Sequence, residues 1–145
     1  LTVNEVLTIA SLVEKEGAKT EYRKLIAGVF YNRLNLGMPL QSNIAILYAE
    51  GKLGQKISLA DDVAIDTTID SPYNVYKNIG LMPGPVDSPS LDAIESSINQ
   101  TKSDNLFFVA NVQDGKVYFA ATKEEHDKNV EEHINSKLKQ SNNAN

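Results

Sequence analysis

The run Ala10-Ser11-Leu12-Val13-Glu14-Lys15-Glu16-Gly17 ends the first helix-forming stretch of the chain on two carboxylates and a glycine. Upstream, Thr2 and Glu5 have the spacing of a capping box, and Val3, Val6, Leu7, Ala10 and Val13 recur at three and four. The pattern predicts a helix of about 15 residues that Gly17 stops. At about 100° per residue, Glu14 and Glu16 fall on opposite flanks of the apolar stripe, about 160° apart. They cannot act as a pair on one bond from this helix, but either can line a cleft at the edge of the core. Periodicity does not choose between them. A carboxyl against an apolar wall keeps its proton nearer neutral pH, the form that can protonate a leaving oxygen. The competing reading is two solvated surface acids.

Working outward, Thr20 opens a second helix with a stripe of Tyr22, Leu25, Ile26, Val29, Phe30 and Leu34. Gly37 and then Pro39 close it, and Arg33 suits the negative end of its dipole. Residues 41–51 predict a short helix around an apolar run at 44–48, and Ser58 with Asp61 predicts another helical turn. Four of the five prolines lie in a long segment, residues 66–89, that includes Gly80-Leu81-Met82-Pro83-Gly84-Pro85. A loop of this length in a compact domain is usually functional, and its prolines should keep it ordered. Ser88 and Pro89 read as N-cap and first residue of a further helix. Residues 106–112 and 116–121 are β-rich and joined by Gln113-Asp114-Gly115, a hairpin signal. Thr122 and Glu125 repeat the capping-box spacing ahead of a last helix reaching about residue 138. The class is α+β: a helix-rich single domain over residues 1–139, a late β-hairpin, and a Pro/Gly loop lining a cleft. The polar tail, residues 140–145, reads as disordered.

The 145 residues suffice for one core. A net charge of −5 argues against a nucleic-acid partner and gives no attraction to an anionic membrane surface. With no cysteine, disulfides and thiolate chemistry are excluded. No apolar run approaches the roughly 20 residues of a membrane span, and no signal peptide is present. The chain starts at Leu1 and reads as an excised domain.

The sequence has no glycine-rich phosphate loop, HExxH motif or nucleophile elbow. His126 and His133 are seven apart, too far for an i, i+4 metal pair, so neither a metal nor a cofactor is expected. They read first as packed or capping histidines, with a site role open to His126. Gln41 and the segment Tyr73-Asn74-Val75-Tyr76 suit carbohydrate, because rings pack on sugar faces and amides bond hydroxyls. The alternative is that both tyrosines fill the core and Asn74 makes an Asx turn.

Taken together, the run from Ala10 to Glu16, Val29-Phe30-Tyr31-Asn32-Arg33-Leu34, Gly37-Met38-Pro39-Leu40-Gln41-Ser42, Ser71-Pro72-Tyr73-Asn74-Val75-Tyr76, the Gly80 to Pro85 segment, Leu106-Phe107-Phe108-Val109 and Glu125-His126 resemble the YceG/MltG family of endolytic murein transglycosylases, in detail a streptococcal-type member. The resemblance runs in order over roughly residues 1–135. It implies a bitopic membrane protein whose catalytic domain faces the cell wall. That domain would cut nascent peptidoglycan glycan strands internally, beside the elongation machinery and its penicillin-binding proteins. Aligned to the family, the catalytic acid is Glu16, with Glu14 as runner-up. The expected substrate contacts are Gln41, Ser42, Asn43, Tyr73, Asn74, Tyr76, Glu14 and His126. Where the family often has Gln-Thr-Asp-Pro, this chain has Gln41-Ser42-Asn43-Ile44, which removes a charge and suits a mechanism with a single acid.

The resemblance implies that Glu16 donates a proton to the oxygen between N-acetylmuramic acid and N-acetylglucosamine. The muramic acid C6 hydroxyl then closes a 1,6-anhydro ring. Such an acid should titrate above the ordinary glutamate value of about 4.3, near 6. Two rival readings stand: a hydrolase pairing Glu16 with Asp66 or Asp70 to activate water, and a glycan-binding module without turnover.

Overall fold

The computed structural model describes residues 1–54, 65–111 and 113–135. The expected turn at Ser58 and Asp61, the end of the last helix near residue 138 and the tail at 140–145 lie outside them. The architecture is α+β, with five α-helices and one antiparallel pair of strands among the described residues.

Helix α1 (Val3–Glu16) begins with both bonds of the capping box, Glu5 N–H to Thr2 Oγ1 at 3.1 Å and Thr2 N–H to Glu5 Oε1 at 2.9 Å. Ile9, Ala10, Leu12 and Val13 are fully buried. Gly17 ends the helix for a reason the sequence does not show. Its φ is −145°, extended rather than left-handed. A Cβ there would stand 2.8 Å from Ile26 Cδ1, so glycine lets α1 end flush against the next helix.

Helix α2 (Thr20–Asn35) buries Ile26, Ala27, Val29 and Phe30. It ends at Gly37, whose φ of 67° is the left-handed turn expected there. Three consecutive side chains in its last turns reach distant backbone. Tyr31 donates to Ser97 O at 2.9 Å, and Asn32 donates to Ser103 O and Asn105 O, both at 2.9 Å. Arg33 donates to Leu106 O and Pro39 O, both at 2.6 Å. This is more than a dipole contact. Arg33 is 4% exposed and ties α2 to the approach of the hairpin and to the lip before Gln41.

Helix α3 (Asn43–Ala49) buries Ile44 to Leu47. The proline-rich segment is ordered by what it buries as well as by its prolines. Val75, Met82 and Val86 enter the core, and Val86 N–H donates to Ser11 Oγ of α1 at 3.0 Å. Helix α4 (Leu91–Ile98) packs on α1 and α2. Its N-cap is Ser90, two residues beyond the expected Ser88. The Ser90 hydroxyl accepts from Ala93 N–H at 3.2 Å while donating to Glu14, so a tertiary partner places the cap.

Strands β1 (Phe107–Ala110) and β2 (Val117–Ala120) pair antiparallel, with Phe107 opposite Ala120 and Phe108 opposite Phe119. They are shorter than the apolar runs predict. Phe108 meets Phe30 edge-on at 5.5 Å, seating the hairpin on α2. Helix α5 (Lys123–Val130) is capped by Thr122, which accepts from Glu125 N–H at 3.3 Å, and it continues as a π-helical turn, Glu131–Asn135. Buried Asn111 donates to His133 O at 3.0 Å and pins that turn to the hairpin.

Asp87, between the core residue Val86 and α4, has both carboxylate oxygens buried with no hydrogen-bond partner among the described residues. Burial pushes its carboxyl up from 3.8 to about 6, with Lys15 opposing and Glu14 adding. The folded value lies above the unfolded one, so the ionised form is the one that folding disfavours. The cost is absent below the unfolded value, grows as pH rises, and is complete above about 6. Two pKa units amount to about 3 kcal/mol, and partial solvent access reduces this to roughly 1–2 kcal/mol. Asp87→Asn should therefore stabilise the chain by that amount at neutral pH and by almost nothing near pH 4. Urea titrations at the two pH values check it, and an equal gain at both would discard the ionisation argument.

Candidate active site

The end of α1, the lip at residues 40–44, Tyr76, strand β1 and the last helix enclose a cleft of about 510 Å³. It brings together Glu14, Glu16, Gln41, Asn43, Tyr76 and His126, six of the residues singled out from the sequence. Its apolar wall comes from Leu40, Ile44, Phe107 and Phe108.

The two acids have different surroundings. Glu14 Oε2 accepts from Ser90 N–H at 3.1 Å and Ser90 Oγ at 2.6 Å, and Arg23 stands 3.5 Å away. Burial works to raise its carboxyl, but the two Ser90 bonds, with Arg23 and Lys15 adding, hold it below the ordinary value. Glu14 is thus kept ionised as a brace between α1 and α4. Glu16 is the last residue of α1, half-buried, and its Oε1 accepts from Ser42 Oγ at 2.8 Å.

Arg23 locks the carbonyl of Gly17, one residue beyond Glu16. Its Nε donates to Gly17 O at 2.8 Å, and its Nη1 pairs with Asp92 at 2.7 Å. Thr20 donates to the same Asp92 carboxylate at 2.9 Å. Ser42 thus holds the Glu16 carboxyl while Arg23 fixes the chain just beyond it.

Three expected substrate contacts are placed differently. Ser42 is 1% exposed and reaches the cleft only through Glu16. Asn74 is fully buried; its Nδ2 donates to Thr67 O and Ile69 O at 3.1 and 2.7 Å, and its Oδ1 accepts from Tyr76 N–H at 3.0 Å. It shapes the loop and has no group to offer a sugar. Tyr73 packs on Tyr48 with ring centroids 4.7 Å apart and does not line the cleft. Tyr76 does line it, donating its hydroxyl to Asn43 Oδ1. The acids of the hydrolase reading, Asp66 and Asp70, are not on its walls.

His126 stacks on Phe107 with centroids 5.1 Å apart. Burial lowers its pKa, with Lys123 and Arg33 adding and Asp127 opposing. Its Nδ1 is buried without a partner among the described residues, and the lowered pKa favours the neutral ring. Sequence reasoning missed Arg33, whose guanidinium lies 4.9 Å from the Phe107 ring centre and supports that wall. Its place three residues after Phe30, on the buried stripe, was the available signal. Among the described residues no three His, Asp or Glu side chains are placed to hold a metal ion, and no helix is long and apolar enough to cross a membrane.

The cleft combines one braced carboxylate, one carboxyl beside a hydroxyl, amide and phenol groups, and an apolar wall. That set can bind a polyhydroxylated ligand and move a proton to and from it. A profile of the YceG-like family matches residues 1–132. Over 95% of its length the chain is 85% identical to a Streptococcus pneumoniae protein, strain D39, named endolytic murein transglycosylase. Over 94% it is 42% identical to a Bacillus subtilis strain 168 protein of the same name. It spans 25% of the length of the first and 36% of the second. The crystal structure of a yceG-like protein from Listeria monocytogenes matches with a TM-score of 0.76 at 44% identity, covering 88% of this chain and 40% of that one.

Proposed function

The chain belongs to the YceG-like family, and from that premise we propose that it is the catalytic part of an endolytic peptidoglycan lytic transglycosylase with Glu16 as its acid and base. One observation carries the choice of residue. Of the two acids on the described cleft walls, Glu14 is held as a carboxylate by Ser90 and Arg23, whereas Glu16 stands at the lip between Ser42 and the cleft.

Protonated Glu16 gives its hydrogen to the β-1,4 glycosidic oxygen between N-acetylmuramic acid and N-acetylglucosamine. The C1–O bond breaks, and positive charge develops at C1. The C6 hydroxyl oxygen of the same muramic acid bonds to C1. Its proton passes to the Glu16 carboxylate, which restores the acid. The nucleophile is internal, so no second carboxylate and no activated water are required. The neutral His126 and the Asn43–Tyr76 pair offer polar contacts along the strand, and Phe107 offers an apolar face. In the full-length protein this part would stand on the wall side of the cell membrane, near the elongation machinery and its penicillin-binding proteins.

Mass spectrometry of products from peptide-free glycan strands tests the reading. The expected new ends are 1,6-anhydro ends, lighter than reducing ends by one water, about 18 mass units. Reducing ends alone would replace the proposal with hydrolysis. Tight binding without any cleavage would replace it with a glycan-binding module.

A further inference from the structure

Arg23 and Arg33 both line the cleft, and their charges are met differently. Arg23 pairs with Glu14 at 3.5 Å and with Asp92 at 2.7 Å. Arg33 is 4% exposed and forms no ion pair among the described residues. The nearby group that favours its charged form is the Tyr76 phenol, which is itself uncharged at neutral pH. Arginine keeps its proton even so, and the cleft wall therefore holds a buried positive charge with no counter-charge. Such burial costs several kcal/mol when nothing offsets it. The tie that Arg33 makes does not need the charge. Its Nε and Nη1 hold Leu106 O and Pro39 O, both at 2.6 Å. Asn32, one residue earlier, holds two backbone carbonyls at 2.9 Å with a neutral amide. Those two bonds use two of the five N–H groups of a guanidinium. Nη2 makes no hydrogen bond among the described residues and is not sealed off, so it opens on the cleft that Arg33 lines. The Phe107 ring, 4.9 Å from the guanidinium carbon, completes the seating. The group is thus held in place in advance, and little side-chain freedom remains to be lost on binding.

We propose that Arg33 is an anion-recognition residue, whose unused guanidinium edge binds a carboxylate carried by the glycan. The proposal deepens the transglycosylase reading and rests on it. Muramic acid bears a lactyl group that N-acetylglucosamine lacks. In peptide-free strands the lactyl group ends in a free carboxylate. Where a stem peptide is attached it is an amide, and the carboxylates lie on the peptide. A planar carboxylate from either source matches the fork of N–H groups and supplies the missing counter-charge. Recognition of this group places a muramic acid, rather than its neighbour, beside Arg33, and so sets the register of the strand against Glu16.

The test measures Kd in the full-length protein carrying Glu16→Gln, with two pairs of probes. The first pair is peptide-free strands and the same strands with their lactyl carboxylates converted to methylamides. The second is strands with stem peptides and the same strands with the peptide carboxylates amidated. Masking the carboxylate should weaken Kd about 10- to 100-fold in one of the pairs, the effect of a charge-assisted hydrogen bond. The pair that responds identifies the source. Arg33→Met should bind the acid and amide forms of that pair equally. Arg33→Lys keeps a charge and a donor, so it should cost less stability and retain part of the difference. Equal Kd for acid and amide forms in both pairs would overturn the proposal before any change at Arg33. A difference that persists at full size in Arg33→Lys and Arg33→Met would assign the carboxylate to another residue and overturn it as well. Absence of anhydro ends with Glu16 in place would instead overturn the role of Glu16, and the Kd comparison would still decide that of Arg33.

Discussion

Glu16→Gln is expected to lower glycan cleavage by about 1,000-fold or more while leaving the fold intact. The same carboxyl is asked to give a proton to the leaving oxygen and to take one from the C6 hydroxyl, and the amide can do neither. General acid–base catalysis contributes about 100- to 10,000-fold, and a single group serving both steps belongs in the upper part of that range. Folding should tolerate the change. The glutamine carbonyl can accept the Ser42 hydrogen bond that Glu16 Oε1 accepts at 2.8 Å, so the melting temperature should move by no more than about 2 °C. Glu14→Gln is the control. It weakens the pairing with Arg23 at 3.5 Å and the bonds from Ser90, so it should reduce stability with turnover kept within about tenfold. Its pH dependence follows from the lowered Glu14 carboxyl. The brace contributes above the ordinary value of 4.5 and is lost as pH falls through the folded value, so parent and Glu14→Gln stabilities should converge in acid. Full turnover in Glu16→Gln with a dead Glu14→Gln would exchange the two roles.

Arg33→Met should lower stability by about 3–4 kcal/mol. The guanidinium is 4% exposed and donates to two backbone carbonyls at 2.6 Å, Leu106 O ahead of β1 and Pro39 O ahead of Gln41. Methionine fills much of the volume but leaves both carbonyls without their donor, at roughly 1–3 kcal/mol each, and the contact with Phe107 also goes. For a chain of this size the melting temperature should fall by about 10 °C. A loss under about 1 kcal/mol would mean that water replaces the guanidinium. Glycan cleavage should fall further than stability alone explains, because Arg33 holds two walls of the cleft in register.

Much of this was open to a reader of the sequence. The capping box at Thr2 and Glu5, the stripes of α1 and α2, the glycine–proline stop after α2 and the hairpin around Asp114-Gly115 are local signals, and local geometry answers them. The ordered motifs also named six residues that the fold gathers around one cleft. Residues of the proline-rich loop were harder. Tyr73, Asn74 and Tyr76 have no periodicity to sort them. The structure buries Asn74 beneath the turn, turns Tyr73 to Tyr48 and leaves only Tyr76 on the cleft.

The sequence by itself determined which stretches form helices and strands, because those patterns depend on neighbours two to four residues away, while the start of α4 was set by its tertiary partner Glu14. It also singled out two glutamates as candidates for the proposed acid. It could not separate them, since Glu14 and Glu16 share a helix end and flank the same stripe. Only the tertiary structure gave Glu14 its partners Ser90 and Arg23 and gave Glu16 the hydroxyl of Ser42. The physical reason is that a carboxyl's readiness to hold a proton depends on the charges and donors within a few ångströms. In this chain those donors come from residues 26 and 76 positions away.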